Sequence, residues 1–222
     1  MQQRSAMVVR GGWEGHQPVA ASDLFIPFLR DAGFDVTIED ALEVYADEAV
    51  MASTDLIVQC WTMGEILPDE AAGLVTAVEN GTGLAGWHGG LLDSFRQATE
   101  IHQVIGGQFV AHPGDLIDYE LEVVPERADH PILAGMPARV SVHTEQYWVH
   151  TDPLNDVLMR TTHRARPGFP WHEDVTVPAV WTRRWGQGKV FACAPGHTAR
   201  ELQESWLREM IQRGMLWAAR ER

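Results

Sequence analysis

Thr82-Gly83-Leu84-Ala85-Gly86-Trp87-His88-Gly89-Gly90 is the stretch on which the fold turns. Thr82–Trp87 is short, apolar and bounded by glycine, which reads as a buried strand. Gly86-Trp87-His88-Gly89-Gly90 has the spacing of a nucleophile elbow, in which glycines permit a sharp strand-to-helix turn and leave the central side chain exposed, so the His88 imidazole is expected to open to a pocket. The central residue is histidine. An imidazole there can be an acid, a base, an electrostatic partner or a metal ligand, but not the seat of a stable acyl intermediate.

The segments before this turn alternate between strand and helix patterns. Ala6–Arg10, Phe34–Ile38 and Asp55–Cys60 read as strands, the last of them buried. A helix is expected over Pro18–Ala32, with Leu24, Phe25, Phe28 and Leu29 apolar, Pro27 kinking or shortening it and Gly33 as its stop. Pro68–Glu79 has proline at its start, acids in the first turn and Asn80-Gly81 at its end, so both helix signals are present. This rhythm implies a mostly parallel sheet with right-handed crossovers.

The second half is richer in strands. Tyr119–Val124, Arg139–Val142, Val157–Arg160, Ala179–Thr182 and Lys189–Ala194 are candidates, with a hairpin turn at Trp185–Gly188. Arg200–Arg220 closes the chain as an amphipathic helix carrying Leu202, Trp206, Leu207, Met210, Ile211, Leu216 and Trp217 on one face. The expectation is an α/β fold with antiparallel strands added at an edge of the parallel sheet, and a single domain over residues 1–222.

Composition narrows the function. The chain has 222 residues, with 17 Lys+Arg against 31 Asp+Glu and a net charge of -14. That field disfavours nucleic acid, anionic lipid and polyanionic substrates. Cys60 and Cys193 are the only cysteines, too few for a disulfide framework or a four-thiolate metal site. Both lie in apolar strands, so thiol catalysis is not supported. No apolar run approaches the roughly 20 residues of a membrane span, and MQQRSAMVVRGG lacks the pattern of a signal peptide. A cytoplasmic protein without membrane partners is expected, and self-association as a homo-oligomer is left open.

Ligands of an open parallel sheet bind at the carboxyl ends of its strands. Of ten histidines, His16, His88, His112, His130 and His197 sit beside glycine or proline, most of them a few residues after a strand. Gly11–His16 brings His16 and Glu14 to the first strand end. Gly106–Pro113 is expected to be a loop offering His112. Thr144–Tyr147 offers Glu145 beside Tyr147, and Pro195–Thr198 places His197 at the opening of the terminal helix. Each is weak alone; several returning to one sheet edge make a site.

Five ordered segments, GWHGG, GGQFVAHP, HPILAGMP, TEQYW and GQGKVFACAPGHT, are similar to the ThuA-like (trehalose-utilisation) family, over about Val8 to Trp217. The resemblance implies a flavodoxin-like, class I glutamine amidotransferase-like fold with His88 at the amidotransferase cysteine's place. It also implies a carbohydrate context, the use of trehalose or related disaccharides through keto sugars. The family residues carry over to His88, Gly89, Gly90, His112, Glu145, Tyr147 and His197, and less securely to His16.

Three functional readings follow. The first is an enzyme acting on a neutral or keto sugar, with His88 as general acid or base, Glu145 and His197 exchanging protons with it, and His16 and His112 at the pocket wall. Trp61, Trp87 and Tyr147 would then meet the apolar faces of a pyranose. No pair of catalytic carboxylates is evident, which argues against the two-carboxylate glycosidase scheme. The second is metal-assisted chemistry on the same residues, His16, His88, His112, Glu145 and His197 being ligand types for zinc or another divalent ion. No HxH or HxxH spacing supports it. The third is a non-catalytic sugar-binding module. A glutaminase is disfavoured, because its thiol is missing.

Overall fold

The computed structural model describes residues 3–221. Chain order begins with β1 (Arg4–Gly12), α1 (Pro18–Asp23), α2 (Ile26–Asp31), β2 (Phe34–Glu39), α3 (Glu48–Ser53), β3 (Leu56–Thr62), α4 (Pro68–Glu79) and β4 (Gly83–Trp87). It continues with α5 (Gly89–Leu92), α6 (Thr99–Ile105), β5 (Gly107–Ala111), β6 (Leu116–Val123), β7 (Arg139–Glu145) and β8 (Trp148–Thr151). β9 (Asp156–His163), β10 (Val175–Trp185), β11 (Gly188–Cys193) and α7 (Ser205–Ala218) complete it.

Nine strands form one sheet in the order β2-β1-β3-β4-β11-β10-β9-β6-β7, and β5 pairs with β8 separately. The pairs from β2 through to β11 are parallel, and those from β11 through to β7 are antiparallel. This is the expected α/β plan: a parallel half flanked by helices and an antiparallel extension. Alternation along the central strands loads both faces. Ala6, Val8, Val58, Ala85 and Phe191 meet α1, α2 and α7 on one side. Met7, Val9, Ile57, Leu84 and Val190 meet α4 and α6 on the other.

The helix expected over residues 18–32 is two helices. Pro27 stands in the first turn of α2, where its missing N–H costs nothing, so the chain breaks before it and restarts. Gly106–Pro113 is not all loop, since Gly107–Ala111 is β5 paired with β8. The terminal helix begins at Ser205, after a 3₁₀ turn over Glu201–Gln203, and not at Arg200. Short α3 and α6 carry too few apolar positions for a helical period to register in the sequence. Among the described residues no helix is long and apolar enough to cross a membrane.

β7 stands five places from β4 in the sheet, about 24 Å away if the sheet were flat with strands about 4.8 Å apart. The sheet is not flat. Register shifts on β10 between Pro178 and Val180, and between Val180 and Trp181, are bulges of the kind that bend a strand and increase its twist. They lie midway between β4 and β7, where coiling draws the two strand ends together.

α7 seats on β11 through Gly214, where a Cβ would lie 2.5 Å from ring atoms of the fully buried Phe191. Alanine gains about 1 kcal/mol of helix propensity over glycine, whereas overpacking a core costs about 1–3 kcal/mol. At the middle of these ranges the net cost is about 1 kcal/mol, so Gly214→Ala is expected to lower the Tm by roughly 2–4 °C in a thermal melt, despite the better helix former. An unchanged or raised Tm would show that α7 can move off Phe191.

Candidate active site

His88 sits between β4 and α5 with φ 47° and ψ -143°, a conformation that non-glycine residues adopt only under constraint. Its N–H donates to the Cys193 carbonyl at 2.7 Å, extending the β4–β11 pairing by one residue. The flanking glycines are steric necessities. A Cβ at Gly86 would stand 2.6 Å from the Gln59 carbonyl oxygen, and one at Gly89 would stand 2.5 Å from Nδ1 of His16. The elbow is legible from spacing alone, and the structure bears it out.

The orientation of the ring is not. His88 is 1% exposed, so its imidazole does not open to solvent. It is buried among polar partners: Nδ1–H donates to the Ala194 carbonyl at 2.8 Å, which leaves Nε2 as the working nitrogen. Nε2 lies 3.1 Å from Oε2 of Glu145 and 3.2 Å from Nδ1 of His197, and that nitrogen is 3.3 Å from the same carboxylate oxygen. His16 packs edge-on to both imidazoles, with ring centroids 4.8 and 5.1 Å away, and its Nδ1 pairs with the Thr62 hydroxyl at 2.9 Å. His88 and His197 are 109 residues apart in sequence and in contact in the fold.

The expected wall residues divide. His112 approaches Glu145 at 3.7 Å from Nε2 to Oε1 and is a third exposed, so it lines the mouth. Tyr147 is buried, with His88 stacked on its ring at 4.0 Å and Phe109 at 4.4 Å. It backs the imidazole, and the face expected to meet a sugar is already covered. Trp87 points into the core against Phe25 and is 2% exposed, because alternation on β4 turns it away from the site. Trp61 lies over Gly11 and beside Phe95, with no ring contact to the imidazoles among the described residues. His197 does not open the terminal helix; its loop is held instead by Glu201, whose Oε2 accepts from the His197 N–H at 3.0 Å and from the Thr144 hydroxyl at 2.9 Å. Thr62, Glu201 and Tyr119, whose hydroxyl donates to the Glu145 carbonyl at 3.1 Å, are supporting groups that spacing does not single out. A Glu four residues after a loop histidine is the one faint signal for Glu201.

Electrostatics separates the two central imidazoles. Burial holds the His88 ring below its ordinary value, against the opposing pull of Glu145 and the Ala194 carbonyl. His197 is raised by its hydrogen bond to Glu145, with burial working the other way. Burial would raise the Glu145 carboxyl, but hydrogen bonds from His197 and His88 and their charge hold it well below the carboxylate range. His16 is pushed down to about 3, first by burial and then by the neighbouring imidazoles. Two imidazoles on one carboxylate are thus shifted in opposite directions, His88 down and His197 up.

The ThuA family, described as trehalose utilisation, matches residues 5–218, and the chain belongs to it. A ThuA-like protein of Parabacteroides merdae is 15% identical with a TM-score of 0.76, covering 98% of this chain and 90% of its own. A ThuA-like protein of Bacteroides uniformis is 16% identical with a TM-score of 0.75, covering 97% and 91%. A β-galactosidase of Bacillus circulans is 12% identical with a TM-score of 0.55, covering 97% of this chain but 30% of that enzyme. At these identities the likeness is one of fold. No curated protein sequence matches the chain.

His16, His88, His102 and His163 are all buried, and burial lowers each of them. Each binds a proton more readily in the unfolded chain than in the fold, so below about pH 6.5 acid favours unfolding. The raised His197 does not offset this, because below that pH it is protonated in both states. Stability is expected to fall from pH 7 to pH 5, His16 alone contributing on the order of 1 kcal/mol per pH unit below its unfolded value and the other three adding in the same direction. Urea titrations at pH 7, 6 and 5 check this; an unchanged midpoint would mean that the rings charge freely in the folded protein.

Proposed function

We propose that this protein acts on a neutral or keto sugar in carbohydrate utilisation, by histidine-based acid–base chemistry at His88, Glu145 and His197. One observation carries the reading: two imidazoles in contact, on one carboxylate, are driven in opposite directions, one toward the neutral base and one toward the charged acid. Environments that push paired groups apart in this way are how acid and base are assigned in enzymes. The family's description supplies the substrate class.

A ketone at C3 of a glycoside acidifies the C2–H bond. Glu145 and His197 are the more exposed members and face the sugar; His88 stands behind them. The proton leaving C2 passes to Glu145 and on to Nε2 of His88. The electron pair forms the C1–C2 double bond as the glycosidic C1–O bond breaks, and His197 gives its proton to the departing oxygen. One proton is taken and one is given, with no change of oxidation state. Water then adds across the double bond. His112 at the mouth suits a hydrogen bond to a sugar hydroxyl.

A panel of disaccharides and their 3-keto derivatives, followed by mass spectrometry, tests the reading. Turnover of a keto derivative is expected, and His88→Ala and His197→Ala should each lower kcat by about 10²–10⁴-fold. Wild-type turnover in either variant overturns the assignment. Binding without product, retained in His88→Gln, would make the protein a sugar-binding module instead.

A further inference from the structure

Three side-chain atoms that can each ligate a metal through a lone pair meet at the centre of the site. His88 spends its Nδ1–H on the Ala194 carbonyl, so Nε2 is the nitrogen it turns inward. Nε2 of His88, Oε2 of Glu145 and Nδ1 of His197 face one another at 3.1 to 3.3 Å.

The dimensions fit a cation. The triangle has edges of 3.1, 3.2 and 3.3 Å. A tetrahedral ion with bonds of about 2.0–2.1 Å to nitrogen and oxygen sets its ligand atoms about 3.3 Å apart. His16 adds a fourth, and one ligand atom from each of His16, His88, Glu145 and His197 lies within 4.8 Å of the others. The outer hydrogen bonds are those of metal-binding histidines. The Ala194 carbonyl holds Nδ1 of His88 and the Thr62 hydroxyl holds Nδ1 of His16, which leaves Nε2 of each ring as the nitrogen available to a metal. Gly89 matters here too, for any side chain at that position would displace the His16 ring.

We propose that His16, His88, Glu145 and His197 form a binding site for one first-row divalent cation, zinc foremost. Three imidazoles and one carboxylate suit zinc and its neighbours, whereas magnesium and calcium take oxygen ligands. His112, a third exposed and outside the group, is excluded from the set. The inference rests on the reading of this centre as the place where the sugar reacts. In the loaded protein Nε2 of His88 and Nδ1 of His197 would act as ligands in place of carrying protons, and the cation, expanding to five ligands, would supply Lewis acidity to a carbonyl oxygen of the keto sugar.

The test is metal content and metal titration of the full chain. Protein stripped with a chelator is titrated with Zn²⁺ and with Co²⁺, whose visible absorption reports four-coordination, while circular dichroism checks the fold. One equivalent is expected to bind and to raise the Tm. His16→Gln and His88→Gln should weaken binding by more than about 100-fold. Thr62→Val, which only frees the His16 ring, should weaken it by about 10–100-fold in a folded protein. His143→Ala, an exposed histidine paired with Asp118, should leave it unchanged. Absence of stoichiometric uptake, or uptake that Thr62→Val and His88→Gln leave intact, overturns the site. Should no metal bind while His88→Ala still abolishes keto-sugar turnover, the cation falls and the sugar reading stands. One tightly bound equivalent with no turnover of any keto sugar leaves the cation standing and removes the sugar reading.

Discussion

Parallel pairing of β4 with β11 is the contact on which the site depends. Phe191, Ala192 and Cys193 lie beside Ala85, Gly86 and Trp87, and the two strands run out at the same edge. The residues that follow are therefore neighbours: His88 after one strand, Ala194 and His197 after the other. The hydrogen bond from the His88 N–H to Cys193 closes the last rung, and that from the His88 ring to Ala194 turns the imidazole. Without the crossover that returns β11 to β4's side, the two histidines would have no reason to meet.

Close approach explains the glycines around this edge. Gly86 and Gly89 face Gln59 and His16 at distances that leave no room for a methyl group, and Gly90 faces Cys60 tightly. The elbow is thus held from three sides, which is what keeps His88 in a backbone conformation it would not choose. Strain of about 1–3 kcal/mol persists only under such over-determination. Tyr147, stacked on the ring, and Thr62, bonded to His16, complete the support with groups that never face the pocket.

Local signals in the sequence are faithful where one element decides. Pro68–Glu79 is a helix to the residue, because its proline start and Asn80-Gly81 stop are local chemistry. Strand ends point to His16, His88, His112, Glu145 and His197 as one group, and the fold brings them together. Trp87 and Tyr147 mislead as sugar platforms for a single reason: residue type carries no information on which face of a strand, or which neighbour, receives the ring. The burial of His88 is illegible for a related cause. It depends on β7 reaching β4 across a curled sheet, and no feature within either segment announces that. Thr62 and Glu201 act through tertiary hydrogen bonds and leave almost no trace in spacing.

The bulged β10 has a dynamic implication. Glu145 arrives at the end of the edge strand β7, whose residues and those of its neighbour β6 alternate between exposed and half-buried over most of their length. Such edges open locally at a free energy below that of the whole fold. Peeling the edge strand β7 away breaks no pairing within the parallel half, yet it removes the carboxylate from the imidazoles. The reactive constellation is accordingly less durable than the scaffold that carries it: the protein can lose its chemistry reversibly while most of its backbone remains protected from hydrogen exchange.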